Sequence, residues 1–261
     1  MVYQELLKKC LAQDDVMCRD DLPIYDGNIE DFDDLIEAFE WVREQGFVPA
    51  ISSGPHSVGT TLETMLGHPL DADSSSDFGF TEIKTQREET SSSTTLFTKE
   101  PSYNDGWNMR RVVVEHGYED AEGCQALRIN LYSHEFHGLN LDSEDGDLLL
   151  ISSESGEEIG RWEDGTLDVG IEKISDVCYI TAETMTRDDG TECFWYNSFE
   201  NLVLSDDFDG KDLLDLVNEG SISIEIRTYI RHTGVVRNHG TAFRSSNIYN
   251  ISAYERQDLL E

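Results

Sequence analysis

Basic side chains are what this sequence has least of. Its 261 residues carry 19 Lys and Arg against 54 Asp and Glu, a formal net charge of −35, and only 6 of the basic residues are lysine. A charge of that size repels nucleic acid and anionic membrane surfaces wherever it is not locally reversed. Cysteine is scarce too: Cys10, Cys18, Cys124, Cys178 and Cys193 are odd in number, scattered, and include no CxxC pair. That excludes a disulfide framework and a cysteine zinc site, and leaves free thiols in a reducing compartment. No apolar run approaches the roughly 20 residues that cross a bilayer. The first residues, "MVYQELLKKCLAQDD", lack the basic-then-apolar pattern of a secretion signal. The chain is expected to be cytoplasmic, with no membrane partner. It has no Gly-rich phosphate loop and no serine-nucleophile signature.

What is present can fill a core. Hydrophobic residues make up 38%, with 11 Phe, 10 Tyr and 4 Trp, too many for a disordered acidic tail. The acids are spread along the whole chain. An even spread with scarce lysine is the composition of a halophilic protein, whose hydrated surface stays soluble in molar salt, where the Debye length shrinks to about 3 Å. A deliberately negative, DNA-mimicking surface is the competing reason. Two stretches escape the bias. From Ser221 to Arg256 there are two acids (Glu225, Glu255) and five bases (Arg227, Arg231, Arg237, Arg244, Arg256), and from Glu82 to Arg111 five of each. A surface kept neutral or positive against such a background suggests an anionic partner; pairing of those arginines with acids elsewhere is the plainer alternative.

Periodicity gives a mixed α/β chain. "YQELLKKCLA" and "NIEDFDDLIEAFEWVREQG" have helical stripes, the second with Asn28 as cap, Ile29, Phe32, Leu35, Ile36, Phe39 and Val42 as its apolar face, and Gly46 as its end. "TTLETMLG" predicts a short helix closed by Gly67, and "DGKDLLDLVNEG" another. "FGFTEIKT", "STTLFT", "QALRINLYS", "GDLLLISS", "EEIGRWED", "VCYITAETM", "ECFWYNSF" and "SISIEIRTYI" alternate or run apolar as strands do. "WNMRRVVVEHG" fits either period, and "DLLE" reads as a fraying helix end. There are no internal repeats. A division into lobes near residue 150, 1–150 and 151–261, is the expectation.

"DFGFTEIK" places Asp77, Glu82 and Lys84 at acid-x4-acid-x-Lys spacing. Phosphodiester hydrolysis needs a metal to polarise the phosphate, an in-line water, and help for the charge that develops. Mg²⁺ is a hard cation, commonly held by one or two carboxylates with waters and phosphate oxygens. Asp77 and Glu82 could supply the oxygens. Glu82 and Lys84, two apart on a strand, share a face, so the ammonium lies beside them. In so acidic a chain the spacing can arise by chance, and a surface strand with an i, i+2 ion pair would look the same.

The neighbourhood adds what the motif lacks. "VGTTLETMLG", "DFGFTEIKT", "TTLFTKEP" and, far downstream, "RNHGTAFR" occur in that order, and together they resemble the MvaI/BcnI family of type II restriction endonucleases, relatives of the mismatch-repair nicking nuclease MutH. The first three blocks span Val58 to Pro101 and the fourth Arg237 to Arg244. The resemblance implies a restriction-endonuclease-like α/β core, a central mixed β-sheet flanked by helices, with two lobes around a DNA cleft: a catalytic lobe in 1–150 and a DNA-recognition lobe in 151–261. It implies a Mg²⁺-dependent, sequence-specific cut in double-stranded DNA by a monomer, in a system with a cognate DNA methyltransferase. By position Asp77 and Glu82 are the metal ligands and Lys84 the catalytic lysine. Glu63, alone an ordinary exposed helix acid, matches the family's helix glutamate. Thr60 stands where the family's helix block usually has lysine. "TTLFT" is expected to pair with the strand that carries Glu82. In the recognition block His239 and Arg244 are the expected DNA contacts, with Arg227 and Arg231 as further candidates; Arg can read guanine O6 and N7 with both guanidinium arms. A MutH-like nicking enzyme would use the same residues, and a non-catalytic acidic DNA mimic or DNA-binding protein would not need them. His134 and His137 in "SHEFH" do not form HExxH, and no metal site is expected there.

Overall fold

The computed structural model describes residues 22–68, 77–90, 92–132 and 136–260. The predicted helix in "YQELLKKCLA", with Cys10 and Cys18, and also His134 lie outside them. By contacts the described chain forms two compact units: Met1–Ser91 with Ser175–Val203 and Glu255–Glu261, and Ser92–Ile174 with Leu204–Tyr254.

The first unit is built on a five-stranded sheet. Its path is β1 (Val48–Pro49), β11 (Glu192–Leu204), β10 (Asp176–Thr186) and β2 (Glu82–Arg87), with β14 (Tyr254–Asp258) also on β11. β1 and β10 run antiparallel to β11, whereas β2 runs parallel to β10, with Val177 opposite Glu82 and Tyr179 opposite Lys84. A parallel neighbour requires a crossover connection rather than a hairpin. Here that connection is residues 88–175, most of which belong to the second unit. The compact units do not divide at residue 150, the boundary expected from sequence: one segment of the second, Ser92–Ile174, lies in this crossover, and the other, Leu204–Tyr254, lies between β11 and β14.

Two helices complete this core. α1 (Phe32–Glu44) buries Leu35, Ala38, Phe39 and Val42, as its stripe dictates. Its cap is Asp31, whose side chain accepts from the Asp34 amide, while Asn28 donates to Glu30. The expected cap was three residues early: in this acidic run Asp31 is the capping side chain that reaches the free first-turn amides. α2 (Ser57–Met65) buries Val58, Leu62 and Met65 against Ile83, Ile180, Phe194, Tyr196 and Phe199. The Phe39 and Phe199 rings lie 4.5 Å apart.

The second unit carries an antiparallel sheet, in order β3 (Thr94–Thr98), β13 (Val236–Ser245), β12 (Ile222–Ile230), β6 (Gln125–Leu131) and β5 (Tyr118–Glu119). A second one runs β4 (Ser102–Tyr103), β9 (Glu158–Trp162), β8 (Asp147–Ser152) and β7 (Leu139–Glu144). The helices α3 (Met109–His116), α4 (Asp164–Lys173) and α5 (Gly210–Asn218) belong to it. Ile222, Ile224 and Ile226 point inward with Phe243, on which Phe97 stacks and Trp162 stands edge-on. "TTLFT" pairs with β13 and not with the strand of Glu82, since Leu96 and Phe97 fill the second unit's core. "WNMRRVVVEHG" resolves as helix because Asn108 caps it through the Arg111 amide. "DLLE" is not a helix end over its described residues: Asp258 closes the strand Tyr254–Asp258, and Leu259 and Leu260 continue without regular structure; alternation in "YERQD" is too short to declare itself.

Candidate active site and nucleic-acid interface

β2 delivers two of the expected residues. Ile83 turns into the core, so Glu82 and Lys84 share the opposite face. Lys84 Nζ lies 2.5 Å from Glu82 Oε1, with Glu82 almost wholly buried and Lys84 half-buried. Asp77 precedes the strand and folds back onto it: its Oδ2 accepts from the Ile83 amide at 2.8 Å, between the two charged residues. The pairing that brings the acid-x4-acid-x-Lys residues together is thus a turn closed by the first acid on the strand that bears the other two groups.

α2 supplies the third carboxylate. Gly59 lets it come close, for a Cβ there would meet Thr85 Oγ1 of β2 at 3.0 Å and Glu63 Oε1 at 3.5 Å. Glu63 is half-buried, and its proton affinity is raised, first by burial, then by Asp77 and Glu82, with His68 and Lys84 opposing. The group is therefore compact enough for the carboxylates to feel one another. His68, which the sequence did not single out, closes it: Nε2 is 2.5 Å from the Asp77 carbonyl oxygen, and the ring packs edge-on against Phe78. Nothing in a lone His after a helix-ending Gly signals that role.

Among the described residues, no three His, Cys, Asp or Glu side chains converge tightly enough to cage a metal ion unaided. The donor set nonetheless suits Mg²⁺, which takes hard carboxylate oxygens in small number and completes its shell with water and phosphate. Asp77 and Glu82 are such donors.

The second unit holds the expected DNA contacts. In an antiparallel pair, residues directly opposite share a face. Arg227 of β12 faces Arg128 of β6, and Tyr229 faces Arg237 of β13. Arg128 packs over the Tyr229 ring at 5.5 Å, and His239 stacks on that ring's centroid at 6.1 Å. A bulge places His239: Thr228 pairs with Asn238 and Ile226 with Thr241, so His239 and Gly240 together oppose Arg227. Gly240 takes φ +85° there, a region that costs a side chain energy. Asn238 is exposed, but its side-chain amide is engaged within the protein. It accepts from Thr228 and the Gly240 amide and donates to Glu100, which also accepts from Thr241.

The four expected contacts differ in availability. His239 and Arg231 are exposed, Arg231 in the turn between β12 and β13. Arg227 is half-exposed, its Nε 3.2 Å from Glu225 Oε2 in an ion pair without hydrogen-bond alignment. Arg244 is half-buried, donating to Glu225 Oε2 at 2.5 Å and to the Ser93 carbonyl. Arg128, on an exposed position of "QALRINLYS" and 3.8 Å from Asp120 Oδ2, is a further candidate on this face that sequence reasoning missed. Its signal exists, an arginine between buried Leu127 and Ile129, but only the register shows which strand it neighbours.

No helix among the described residues is long and apolar enough to cross a membrane. A sequence profile of the MvaI/BcnI restriction endonuclease family matches residues 36–251. No curated protein sequence matches significantly. Among solved structures, the chain is similar to restriction endonuclease MvaI in complex with its cognate DNA substrate, with a TM-score of 0.74 and 23% identity over 87% of this chain and 97% of that one. Restriction endonuclease MvaI in the absence of DNA aligns at a TM-score of 0.49 and 22% identity, over 87% of this chain and 96% of that one. The DNA-complex likeness establishes a shared fold.

Proposed function

The chain belongs to the MvaI/BcnI restriction endonuclease family, and from that premise we propose that it hydrolyses double-stranded DNA at a short site through Asp77, Glu82, Lys84 and Glu63. The observation that carries this reading is the convergence of β2 and α2, which sets three carboxylates and one ammonium within mutual electrostatic reach. Asp77 and Glu82 would hold Mg²⁺, which when bound would supply polarisation of the scissile phosphate and a more acidic water. Lys84, already 2.5 Å from Glu82, keeps a positive charge where the pentavalent transition state gains a negative one and orients the attacking water. Glu63, with its raised proton affinity, supports the metal site and its water from α2.

Recognition falls to the outward face of the β6, β12 and β13 strands. Arg227 and His239 reach base edges, and Arg231 with Arg128 meets phosphate. Arg244 contacts DNA by exchanging one of its bonds to Glu225 and Ser93. The enzyme acts as a monomer in the cytoplasm of a halophile, in restriction–modification defence, beside a methyltransferase of the same specificity. The test is to incubate it with several plasmids and MgCl₂ in molar KCl and sequence the ends. Discrete fragments that share one short sequence at their termini are expected; intact plasmid, or ends scattered at random, would refute the reading.

A further inference from the structure

α2 has no side-chain N-cap. His56 occupies the cap position without such a bond. What holds the helix start is Arg87, the last residue of β2. Its Nε donates to Glu192 Oε1 at 2.7 Å, and its Nη2 donates to Glu192 Oε2 at 2.9 Å, to Ser57 Oγ at 2.8 Å and to the Gly54 carbonyl at 3.0 Å. Nη1 donates to the Pro55 carbonyl at 3.1 Å. The guanidinium lies 5.2 Å from the centroid of the Phe194 ring. One side chain thus ties the end of the catalytic strand to the loop and first turn of the helix that carries Glu63, with β11 as the anchor. Tyr196, also of β11, adds a bond to the Val58 carbonyl at 2.7 Å.

Two features set this apart from an ordinary surface ion pair. A cation at a helix N-terminus opposes the macrodipole, so the placement gains nothing for the isolated helix and depends on Glu192, whose carboxyl Arg87 holds below the usual carboxylate range. Moreover α2 must be held against repulsion, because it brings Glu63 towards Asp77 and Glu82. A planar guanidinium with five donors can bind two carboxylate oxygens and neighbouring carbonyls at once, which an ammonium cannot.

We propose that Arg87, locked by Glu192, is a positioning residue that sets the depth of α2 against β2 and so fixes Glu63 at the metal-binding carboxylates. The inference rests on the proposed metal site and goes beyond it by assigning a residue outside the catalytic group to the geometry of that group.

The test is Mn²⁺ titration by calorimetry on the full, DNA-free chain, with thermal unfolding alongside. In Arg87→Gln, Mn²⁺ affinity is expected to fall at least about tenfold, and Arg87→Lys, which keeps the charge but not the fork, is expected not to restore it. Arg161→Gln serves as the control: it removes an ion cluster with Glu144, Asp147 and Glu158 in the other unit and should leave Mn²⁺ affinity unchanged. If Arg87→Gln melts earlier but binds Mn²⁺ like wild type, the residue is only structural and the proposal is overturned. Should Arg87→Gln not fold, Glu192→Gln decides, since it leaves the bonds from Arg87 to Gly54, Pro55 and Ser57; weaker Mn²⁺ binding supports the proposal, and unchanged binding overturns it. A wild-type chain that binds no Mn²⁺ would overturn the metal site itself, and this inference with it.

Discussion

Glu63 is the residue at which folding and the proposed chemistry pull apart. Burial raises its proton affinity most, Asp77 and Glu82 add to it, and His68 and Lys84 only partly offset them. A carboxyl whose folded-state pKa lies above its unfolded value stabilises nothing when ionised: stability is full at pH below the ordinary carboxylate range and is lost as pH rises through the raised pKa. Glu63→Gln removes that loss. The metal-free variant is therefore expected to melt at a higher temperature than wild type near neutral pH and at the same temperature below the carboxylate range, while its DNA cleavage falls at least about tenfold. Equal melting at neutral pH, measured by calorimetry without divalent cations, would contradict this reading of Glu63. Sequence carried the Glu82 and Lys84 pair well, because strand alternation alone puts them on one face. It said nothing of His68 or Arg87, whose partners lie in backbone carbonyls and in Glu192, 105 residues from Arg87.

At the level of elements, local signals were read correctly where one segment contains its own evidence. The stripe of α1, the helix of "DGKDLLDLVNEG" that becomes α5 and the alternation of β12 are of that kind. Pairings between distant segments were not legible. The parallel register of β2 with β10 joins residues 95 apart in sequence, and β3 took a partner that its apolar pattern could not specify, since any buried strand accepts Leu and Phe. Arg128 belongs to the same class of omission. It becomes part of the arginine face only when β6 docks beside β12 and sets Arg128 opposite Arg227. As a phosphate contact, Arg128→Ala should weaken binding to all duplex sequences alike and reduce the slope of log K against log salt by about 0.9. Binding curves at several KCl concentrations would show it; an unchanged slope would remove Arg128 from the interface.

Over the whole molecule the charge is partitioned. The −35 total coexists with a sheet face on which Arg128, Arg227, Arg237 and Arg244 outnumber Glu225 and the Asp120 carboxylate beside Arg128. Counterion release fades at high salt, so in a salt-rich cell such a face would rely on base contacts and shape more than on phosphate attraction. The interleaving of the two units has a similar logic: with the second unit's two segments inserted between β2 and β10 and between β11 and β14, the proposed cleavage group and the arginine face come from one chain without a repeat or a linker to mark the boundary. The central claim, that the β2 group cuts DNA, is tested most directly by single-turnover cleavage of a cognate duplex in molar KCl and MgCl₂, comparing wild type with Lys84→Ala at saturating protein. The account predicts that Lys84→Ala still binds the duplex but cleaves it at least about 100-fold more slowly; cleavage by Lys84→Ala at the wild-type rate would contradict it.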